Sequence, residues 1–391
     1  MRRILLFDTI IDGHHADYLA HLVNYWLRYQ PEGELLVVTQ ASFEATFQQL
    51  RDDTANNASV RFIPIPPEDI ERTHQSSALS RSFSEWNLLL KYVHDHQPTH
   101  ALIMYFDIFQ LGSWLGKKAP CAISGIYFRP DFHYAIPPGL KARLNVLRKK
   151  VTLRGMLNRG VLTNLFCLDH SAVSALKQMN PRVNVLALPD PVKSYDIKPA
   201  ETKQLRAELG IEAGRNVFLL FGHLDDRKGI EPLLEALKQL NPALRSTLCL
   251  LLVGSIRSVY QAGIEQLIAE IDSQIQIVCV FKEVRGRQIQ TYFELSDYAL
   301  ALYQRHIGMA SVFIRAAVSG KPILSSDYGY MGRFVQTAQL GAVTDSTSPT
   351  AICQLLEQVL TQGVSYSETN LKKVADQNSD VAFAETIFNR L

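Results

Sequence analysis

Short apolar runs alternate with segments of helical periodicity through the first half of the chain. Residues 4–7 form the first run, apolar side chains then recur at helical spacing from Tyr18 to Trp26, and a second run follows at 35–38. Such a strand–helix–strand opening is typical of a parallel sheet. Further strands are predicted at 101–105, 121–124, 165–168 and 183–188. The pattern therefore predicts a doubly wound α/β domain.

Two prolines in the run Pro-Asp-Pro-Val at 189–192 interrupt this pattern, because proline opposes both helix interiors and central strands. The alternation then starts again, with strands predicted at 217–221, 248–253, 275–281, 298–302 and 322–325 and a helix at 311–319. We expect an N-terminal domain over 1–190, a linker over 191–204, a C-terminal domain over 205–370, and a last helix in 371–391 that packs on the N-terminal domain. Ligands bind at the carboxyl ends of such strands, so the two Rossmann-like domains are expected to face one cleft.

Composition limits the classes of function. The formal net charge is only +2, which is too small to indicate general nucleic-acid binding. The sequence also has neither zinc-finger spacing nor basic residues interleaved with aromatic ones, so nucleic acid is not expected as a partner. Five scattered cysteines without Cys-x-x-Cys spacing predict buried, reduced thiols in a cytosolic protein and no metal site. The first apolar run stops at Asp8, and no segment approaches the roughly 20 apolar residues that span a bilayer. We expect a cytoplasmic protein, either soluble or peripheral at the inner membrane face.

The segment Gly-His-Leu-Asp-Asp-Arg-Lys-Gly-Ile at 222–230 follows a predicted strand and opens a predicted helix. A glycine turn before a helix N-terminus presents backbone N–H groups to an anion, and Lys228 adds a positive charge. This combination predicts a phosphate site. The alternative is an ordinary strand-to-helix turn with solvated charges.

Glycines and small polar segments follow the predicted strands of the second half in a fixed order. They are Gly222, Lys228 with Gly229, Gly254 after Val253, Phe281, the run 296–299, Gly308, the run 315–322 and Gly341. Over residues 215–360 this order resembles the nucleotide-binding half of GT-B glycosyltransferases, most closely those of glycosyltransferase family 4. A fainter resemblance reaches the first half through Asp12-Gly13 and through the 189–192 run, where the family has Pro-Asn-Gly-Val.

The resemblance implies a retaining glycosyltransferase that uses a nucleotide-diphosphate sugar, with UDP-glucose favoured, and that requires no metal or other cofactor. Backbone at the glycines would approach the diphosphate, Lys228 would offset its charge with help from Arg227 and His223, and the base would lie near Phe281 and Lys282. The residues assigned to the donor are Gly222, His223, Arg227, Lys228, Gly254, Phe281, Lys282, Gly308, Met309, Ala310 and Ser311.

Two departures from the family pattern concern the sugar and the ribose. The Glu-x7-Glu motif, which contacts the transferred sugar and the ribose hydroxyls in the family, falls here on Ile307 and Arg315. Arg315 would bind a phosphate or the acceptor, or form a structural ion pair. The family's Gly-Arg-Leu is Gly-His-Leu at 222–224, and Arg227 is the nearby cation that would take the place of the missing arginine.

In the N-terminal half, the family places a polar group beside the reacting sugar after a central strand. Asp107 follows the apolar run 102–105 and either faces the sugar or caps the next helix. Gly13 is expected to bring backbone against the diphosphate, whereas His14 and His15 are either catalytic or satisfied within the fold. The segment 127–133 is either an acceptor wall or a surface loop.

Residues 141–160 contain seven Lys and Arg side chains and no acidic one, interleaved with leucine and valine. A basic amphipathic segment of this kind would contact an anionic membrane or a lipid-phosphate acceptor, or else form a solvated helix face.

The function these observations favour is transfer of a hexose from a nucleotide sugar to a carbohydrate or glycolipid acceptor, as in polysaccharide or glycolipid assembly. One alternative is a sugar-nucleotide-binding or scaffold protein that has lost catalysis, because the two carboxylates are missing. Another is a sugar-nucleotide epimerase of the same architecture, a class that brings additional carboxylates to its site.

Overall fold

The computed structural model describes residues 2–11, 14–55, 57–75, 77–128, 130, 140–306 and 308–391, and of His14, Ala78, Lys141 and Ala142 only the backbone. The chain forms two compact units. Unit 1 comprises Met1–Pro191 with Asp380–Leu391, and unit 2 comprises Val192–Ser379. The division falls within the 189–192 run.

Unit 1 is built on a parallel sheet with the strand order β3-β2-β1-β4-β5-β6-β7. The strands are β1 (Arg3–Phe7), β2 (Glu34–Gln40), β3 (Val60–Ile65), β4 (His100–Ile103), β5 (Ala122–Tyr127), β6 (Leu162–Cys167) and β7 (Asn184–Ala187). The helices are α1 (His14–Tyr29), α2 (Ser42–Thr46), α3 (Gln48–Ala55), α4 (Pro67–His74), α5 (Ala78–His96), α6 (Gln110–Leu115), α7 (Leu140–Asn158) and α8 (Val173–Met179). The strand order reverses between β1 and β4, and ligands of such sheets bind at this switch point.

Unit 2 repeats this plan with the strand order β10-β9-β8-β11-β12-β13, again all parallel. The strands are β8 (Asn216–Phe221), β9 (Leu248–Val253), β10 (Gln276–Val280), β11 (Tyr298–Ala301), β12 (Ile323–Ser326) and β13 (Gly341–Thr344). The helices are α9 (Pro199–Glu208), α10 (Ile230–Gln239), α11 (Pro242–Arg245), α12 (Ser258–Ala269), α13 (Arg287–Leu295), α14 (Ser311–Val318), α15 (Gly329–Thr337), α16 (Pro349–Gln362) and α17 (Glu368–Gln377), and α18 (Asp380–Phe388) follows in unit 1. The switch point of this sheet lies between β8 and β11.

Both faces of each sheet are covered, which explains the uninterrupted apolar runs of the central strands. In β1, Leu5 belongs to the same core as Trp86, whereas Ile4 and Leu6 belong to the core of Trp26 on the other face. All six residues of β9 are buried. The prediction of two doubly wound α/β domains is confirmed.

The end of the chain divides between the two units. The linker is predicted at 191–204, and helix α9 begins within it. The last segment is predicted at 371–391, and its residues up to Ser379 lie in unit 2. The rest, with α18, lies in unit 1, where the Phe388 ring packs 5.2 Å from the Trp26 ring and Phe383 packs 5.3 Å from Tyr18.

The five cysteines carry free thiols. Cys279 on the edge strand β10 is exposed, and this corrects the expectation that the thiols are buried. Among the described residues, no helix is long and apolar enough to cross a membrane.

Candidate functional site

Two glycine turns lie side by side at the carboxyl ends of β8 and β9. The N–H of Gly222 donates to the Val253 carbonyl at 3.0 Å, and the N–H of Gly254 donates to the Val280 carbonyl at 3.0 Å. A Cβ atom on Gly254, whose φ is +147°, would lie 1.7 Å from the Gly222 carbonyl oxygen. Only glycine fits this contact, because any side chain at position 254 would collide with the Gly222 carbonyl.

Lys228 is a buried cation at the switch point of unit 2. Its side chain is almost enclosed, with 8% of the residue exposed. Its Nζ donates to the Phe221 carbonyl at 2.8 Å and to Tyr303 Oη at 2.5 Å, and a Cβ atom on Gly222 would lie 3.0 Å from it. Within the described part of the chain, no carboxylate lies within ion-pair distance of this ammonium. A buried charge without a counter-ion is costly, so the arrangement favours an incoming anion.

The turn that holds Lys228 is built by its neighbours in the sequence. The Asp225 carboxylate accepts the Arg227 N–H at 3.2 Å, which caps the short 3-10 turn Asp226–Lys228. Gly229 follows with a φ of +72°, and a Cβ atom there would lie 2.2 Å from the Leu302 carbonyl oxygen. Gly229 therefore allows the turn to approach the end of β11, where Tyr303 meets Lys228.

Arg227 and His223 already have partners within unit 2. Both Nε and Nη2 of Arg227 bond Asp225 Oδ2, at 3.0 and 2.6 Å, and this hydrogen bonding raises the pKa of Arg227. The His223 Nδ1 lies 3.0 Å from Ser255 Oγ. A phosphate would therefore compete with Asp225 for the Arg227 guanidinium.

Helix α14 begins after the glycine turn that the sequence singles out. Gly308 has a φ of +96°, and Ala310 precedes the helix without any side-chain cap on the first turn. Met309 is half-buried and Ala310 is buried, and Ser311 is the first helical residue. The Phe313 N–H donates to the Ala310 carbonyl at 3.0 Å, so within the first turn an anion would meet the N–H groups of Ser311 and Val312.

The remaining donor candidates lie elsewhere around the same sheet. Phe281 and Lys282 directly follow β10, next to β9. Arg315 lies half-buried on α14. Ile307 lies outside the described residues. The structure brings Gly222, Gly254 and Lys228 together, and adds Tyr303, which the sequence interpretation missed.

At the switch point of unit 1, Asp8 and His15 form a pair. Asp8 is buried directly after β1, and its carboxylate accepts the Ile10 N–H at 2.9 Å and lies 3.2 Å from His15 Nδ1. Burial raises the pKa of Asp8, and the contact with His15 opposes that effect. The His15 ring stacks on Phe128, with centroids 5.3 Å apart, and meets the Tyr105 ring edge-on at 4.7 Å.

A second buried carboxylate, that of Glu85, lies near this pair and contacts Thr9, the residue after Asp8. Both oxygens of Glu85 lie 2.9 Å from Thr9 Oγ1, and Arg81 Nε reaches Glu85 at 3.3 Å. Burial outweighs these contacts and raises the pKa of Glu85 to about 7.

Asp107 belongs to the 3-10 turn Phe106–Ile108 that follows β4. Its Oδ2 accepts the Phe128 N–H at 2.9 Å, so Asp107 joins the loops after β4 and β5. The following helix α6 has Phe109 at its N-cap, and its Gly112 N–H donates to Ser82 Oγ at 3.0 Å, so the alternative that Asp107 is the N-cap of this helix is wrong. Gly13 lies outside the described residues, as do Arg129 and residues 131–139.

Helix α7 has two apolar faces. Leu153, Met156 and Leu157 are buried in unit 1. On the opposite side the apolar side chains follow one stripe at intervals of four, three and four residues, with exposed fractions of 74% for Leu140, 56% for Leu144, 58% for Leu147 and 52% for Val151. This exposed stripe is larger than the scattered apolar residues usual on a surface.

Among the described residues, no group of three His, Cys, Asp or Glu side chains could hold a metal ion.

Sequence comparison finds similarity to glycosyltransferases, chiefly in the second unit. Residues 201–378 match the family model described as Glycosyl transferases group 1. The lipopolysaccharide 1,2-N-acetylglucosaminetransferase of Salmonella typhimurium is 26% identical over 159 residues, which are 40% of this chain and 42% of that protein. The match thus spans less than half of the curated relative. The residues that match the family model lie within unit 2 and make up less than half of the chain.

Solved structures show the fold of both units. The N-terminal domain of Candida albicans trehalose-6-phosphate phosphatase is similar with a TM-score of 0.69 at 13% identity, covering 100% of this chain and 96% of that chain. Anabaena HepE, solved in complex with UDP and glucose, has a TM-score of 0.67 at 16% identity, covering 100% and 99%. The chain has the GT-B fold, as the sequence predicts.

Proposed function

We propose that this protein is a glycosyltransferase that transfers a hexose from a nucleotide-diphosphate sugar, with UDP-glucose the favoured donor, to a carbohydrate or glycolipid acceptor in polysaccharide or glycolipid assembly. Three observations support it: the match of residues 201–378 to the glycosyl transferases group 1 model, the UDP and glucose complex of HepE, and the buried Lys228. The observation on which the proposal chiefly rests is the ammonium of Lys228, because it has no carboxylate partner among the described residues.

The chemistry of the proposed reaction explains why a buried cation is useful. Breaking the bond between the anomeric carbon and the diphosphate leaves negative charge on the phosphate oxygens, and a preorganised cation in a water-poor site stabilises that charge. Lys228 would do so beside the Gly222 and Gly254 turns, and the first turn of α14 would add N–H donors. Phe281 and Lys282 would lie by the base, with Arg227 and His223 assisting the phosphates. The resemblance implies retention of configuration, but a stabilised leaving group serves retention and inversion alike.

Thermal shift with UDP and a panel of nucleotide sugars tests the donor site. Binding raises the melting temperature of the wild-type protein by mass action. Lys228→Met removes the ammonium and keeps the alkyl chain, so we expect UDP affinity to fall at least about tenfold, the value of a charge-assisted hydrogen bond. Lys372→Met, at an exposed site on α17, is the matched control. A K228M variant that binds UDP as tightly as K372M contradicts the donor site.

A catalytically inactive nucleotide-sugar-binding protein is the second candidate. It is favoured by Ile307 and Arg315, which stand where the family has carboxylates. The two candidates differ in turnover. UDP release from UDP-glucose in the presence of sugar acceptors supports the transferase, whereas tight binding with no release supports the binding protein.

We also propose that α7 contacts an anionic membrane surface and holds the protein at the cytoplasmic membrane face, near a lipid-linked acceptor. Its exposed stripe is flanked by the exposed Arg143 and Lys150 on one side and Arg148 on the other. Cations on both flanks would repel each other if two copies of the helix paired. The same cations would attract anionic head groups while the leucines enter the interface.

Sedimentation with vesicles tests this surface. We expect the protein to pellet with phosphatidylglycerol-containing vesicles and to be released by salt, which screens the charges. The double variant L144E/L147E should stay in the supernatant. Val259→Glu introduces one glutamate at an exposed valine of α12 and should still pellet. Equal pelleting with pure phosphatidylcholine, or pelleting of L144E/L147E, contradicts the proposal.

A further inference from the structure

Gln304 contacts both sequence neighbours of Lys228. Its backbone N–H donates to the Arg227 carbonyl at 2.8 Å. Its side-chain nitrogen packs against Gly229, where a Cβ atom would lie 2.7 Å from it. These two contacts hold the backbone on either side of Lys228 against the end of β11. Gln304 therefore fixes the point from which the lysine side chain extends.

Ser346, which follows the edge strand β13, holds Gln304 and Tyr303 at the same time. Its carbonyl accepts a hydrogen bond from Gln304 Nε2 at 2.7 Å, and its hydroxyl donates to the Tyr303 carbonyl at 3.0 Å. Tyr303 Oη in turn accepts from Lys228 Nζ at 2.5 Å. The backbone of the Lys228 turn and the tip of the Lys228 side chain thus both depend on one serine.

The hydroxyl of Ser346 belongs to a buried chain of hydrogen bonds with one direction. Ser346 is 1% exposed, and its Oγ lies 3.0 Å from Oγ of Ser326, which is 2% exposed. Each hydroxyl has one hydrogen, so Ser346, which donates to Tyr303, accepts from Ser326. Ser326 Oγ accepts the N–H of Tyr328, the residue before α15, at 3.2 Å. A buried chain in which each member is satisfied on both sides fixes a single geometry.

This geometry decides where the ammonium of Lys228 can donate. Of its three hydrogens, two are donated to the Phe221 carbonyl and to Tyr303 Oη. Within the residues that the structure describes, the third has no hydrogen-bond acceptor. Its direction is set by the other two bonds. Lysine is a compact charge on a flexible stem, so such support is what makes its direction reproducible.

We propose that Ser346 and Gln304 are positioning residues that direct the third N–H of Lys228 at the diphosphate of the donor. This role rests on the proposed glycosyltransferase function. A cation that is already oriented stabilises the leaving diphosphate without reorganising during the reaction. Both residues act through Lys228, one through Tyr303 and the other through the turn, and neither bonds the donor itself.

A double-mutant cycle tests whether Ser346 acts through Lys228. Isothermal titration calorimetry measures UDP binding to the wild type, S346A, K228M and the double variant S346A/K228M. We expect Ser346→Ala to lower UDP affinity about fivefold, the value of one hydrogen bond. In the K228M background the same change should alter UDP affinity less than about twofold, because residues that act as a unit are not additive. An equal loss in both backgrounds overturns the positioning role of Ser346.

Gln304→Met tests the second contact with the turn. The substitution removes the amide and keeps the length of the side chain. We expect UDP affinity to fall while the affinity for uridine, which has no phosphate, stays at the wild-type value. Equal losses for UDP and uridine, or no loss for UDP, overturn the positioning role of Gln304.

Ser319→Ala is the matched control. Ser319 is another buried serine of unit 2, 8% exposed, and in the described part of the chain its hydroxyl has no hydrogen-bond partner. S319A should bind UDP as the wild type does, and urea unfolding checks that every variant is folded in the assay.

The outcomes separate the positioning role from the proposed function. If the wild-type protein binds neither UDP nor any nucleotide sugar, the donor site is wrong and the positioning role with it. If the wild type binds UDP, K228M binds it more weakly and the cycle is additive, the donor site stands and only the positioning role is overturned.

Discussion

The Nζ of Lys228 lies 2.5 Å from the Oη of Tyr303 and 4.4 Å from the centre of the same ring. The phenolic oxygen thus accepts a hydrogen bond from the ammonium. The two residues stand 75 positions apart in sequence and meet because β8 and β11 are neighbours in the sheet. Tyr303 therefore fixes the direction of the cation that we propose for the diphosphate.

Tyr303→Phe tests this relationship. The substitution keeps the ring and removes the oxygen that accepts from Lys228, so a buried N–H is left without a partner. We expect the free energy of unfolding to fall by about 1–2 kcal/mol without ligand. Saturating UDP should recover part of the loss, because a phosphate oxygen replaces the missing acceptor. Urea unfolding with and without UDP measures both effects, and Tyr366→Phe at a partly exposed site is the control. An equal deficit in both conditions would separate Tyr303 from the donor site.

Gly254→Ala tests the contact between the two glycine turns. The new methyl group would lie 1.7 Å from the Gly222 carbonyl oxygen, and the φ of +147° is unfavourable for alanine. We expect a loss of at least about 2–3 kcal/mol in stability and loss of UDP binding. Gly263→Ala on α12 is the control, since no atom lies within 4 Å of the point where its methyl group would stand. That variant should gain roughly 0.5–1 kcal/mol. Wild-type stability and binding in G254A would refute the close approach.

Glu85 makes the stability of unit 1 fall as the pH rises. Burial raises its pKa in the folded protein from 4.5 to about 7, so the folded state holds the proton more tightly than the unfolded state. The stabilisation that the protonated Glu85 gives the folded state is complete below pH 4.5 and is lost as the pH rises through about 7. The free energy of unfolding falls by about 3 kcal/mol over this range. Glu85→Gln removes this dependence and should be more stable than wild type at pH 8. Hydrogen exchange of the β1 amides in both proteins measures the difference. Parallel pH profiles for the two would contradict it.

His100 acts in the opposite direction. Burial lowers its pKa from 6.5 to about 4, so the folded state binds its proton less tightly than the unfolded state. Its Nε2 lies 2.9 Å from Ser124 Oγ. The stabilisation that neutral His100 gives the folded state, about 3 kcal/mol, is present above pH 6.5 and is lost as the pH falls through about 4.

Between pH 4.5 and 6.5 the two groups oppose each other. We expect wild-type unit 1 to vary little in stability over this range. Glu85→Gln should reveal the acid loss due to His100, and the double variant E85Q/H100Q should be flat again. A flat profile for E85Q alone would show that His100 does not carry the acid effect.

Most of the architecture could be predicted because parallel strands covered on both faces give uninterrupted apolar runs. The strands that the pattern missed, β3 (Val60–Ile65) and β13 (Gly341–Thr344), are the edge strands where the apolar run is weak. The first contains Pro64 and exposed positions, and the second is four residues long and only half-buried. At an edge, one side of the strand makes no ladder bonds, so its composition is less constrained.

The site was only partly predictable for a different reason. Gly222, Lys228 and Gly229 occur within one short segment, so the local sequence is enough to predict that part of the site. The contact of Lys228 with Tyr303 depends on strand order, and the pairing of Asp8 with His15 depends on how α1 returns over β1. The sequence interpretation assigns Arg227 to the phosphates, and the pairing of its guanidinium with Asp225 emerges only from the geometry of the turn.

The crossing of the chain back to unit 1 has a practical consequence for protein engineering. Residues 192–379 are one continuous stretch of gene, whereas unit 1 is encoded by two separate stretches. A truncation after residue 379 would strip the cover from Trp26 and damage a sheet that begins more than three hundred codons upstream. Swapping unit 2 between relatives therefore calls for an insertion with two junctions, not a fusion with one.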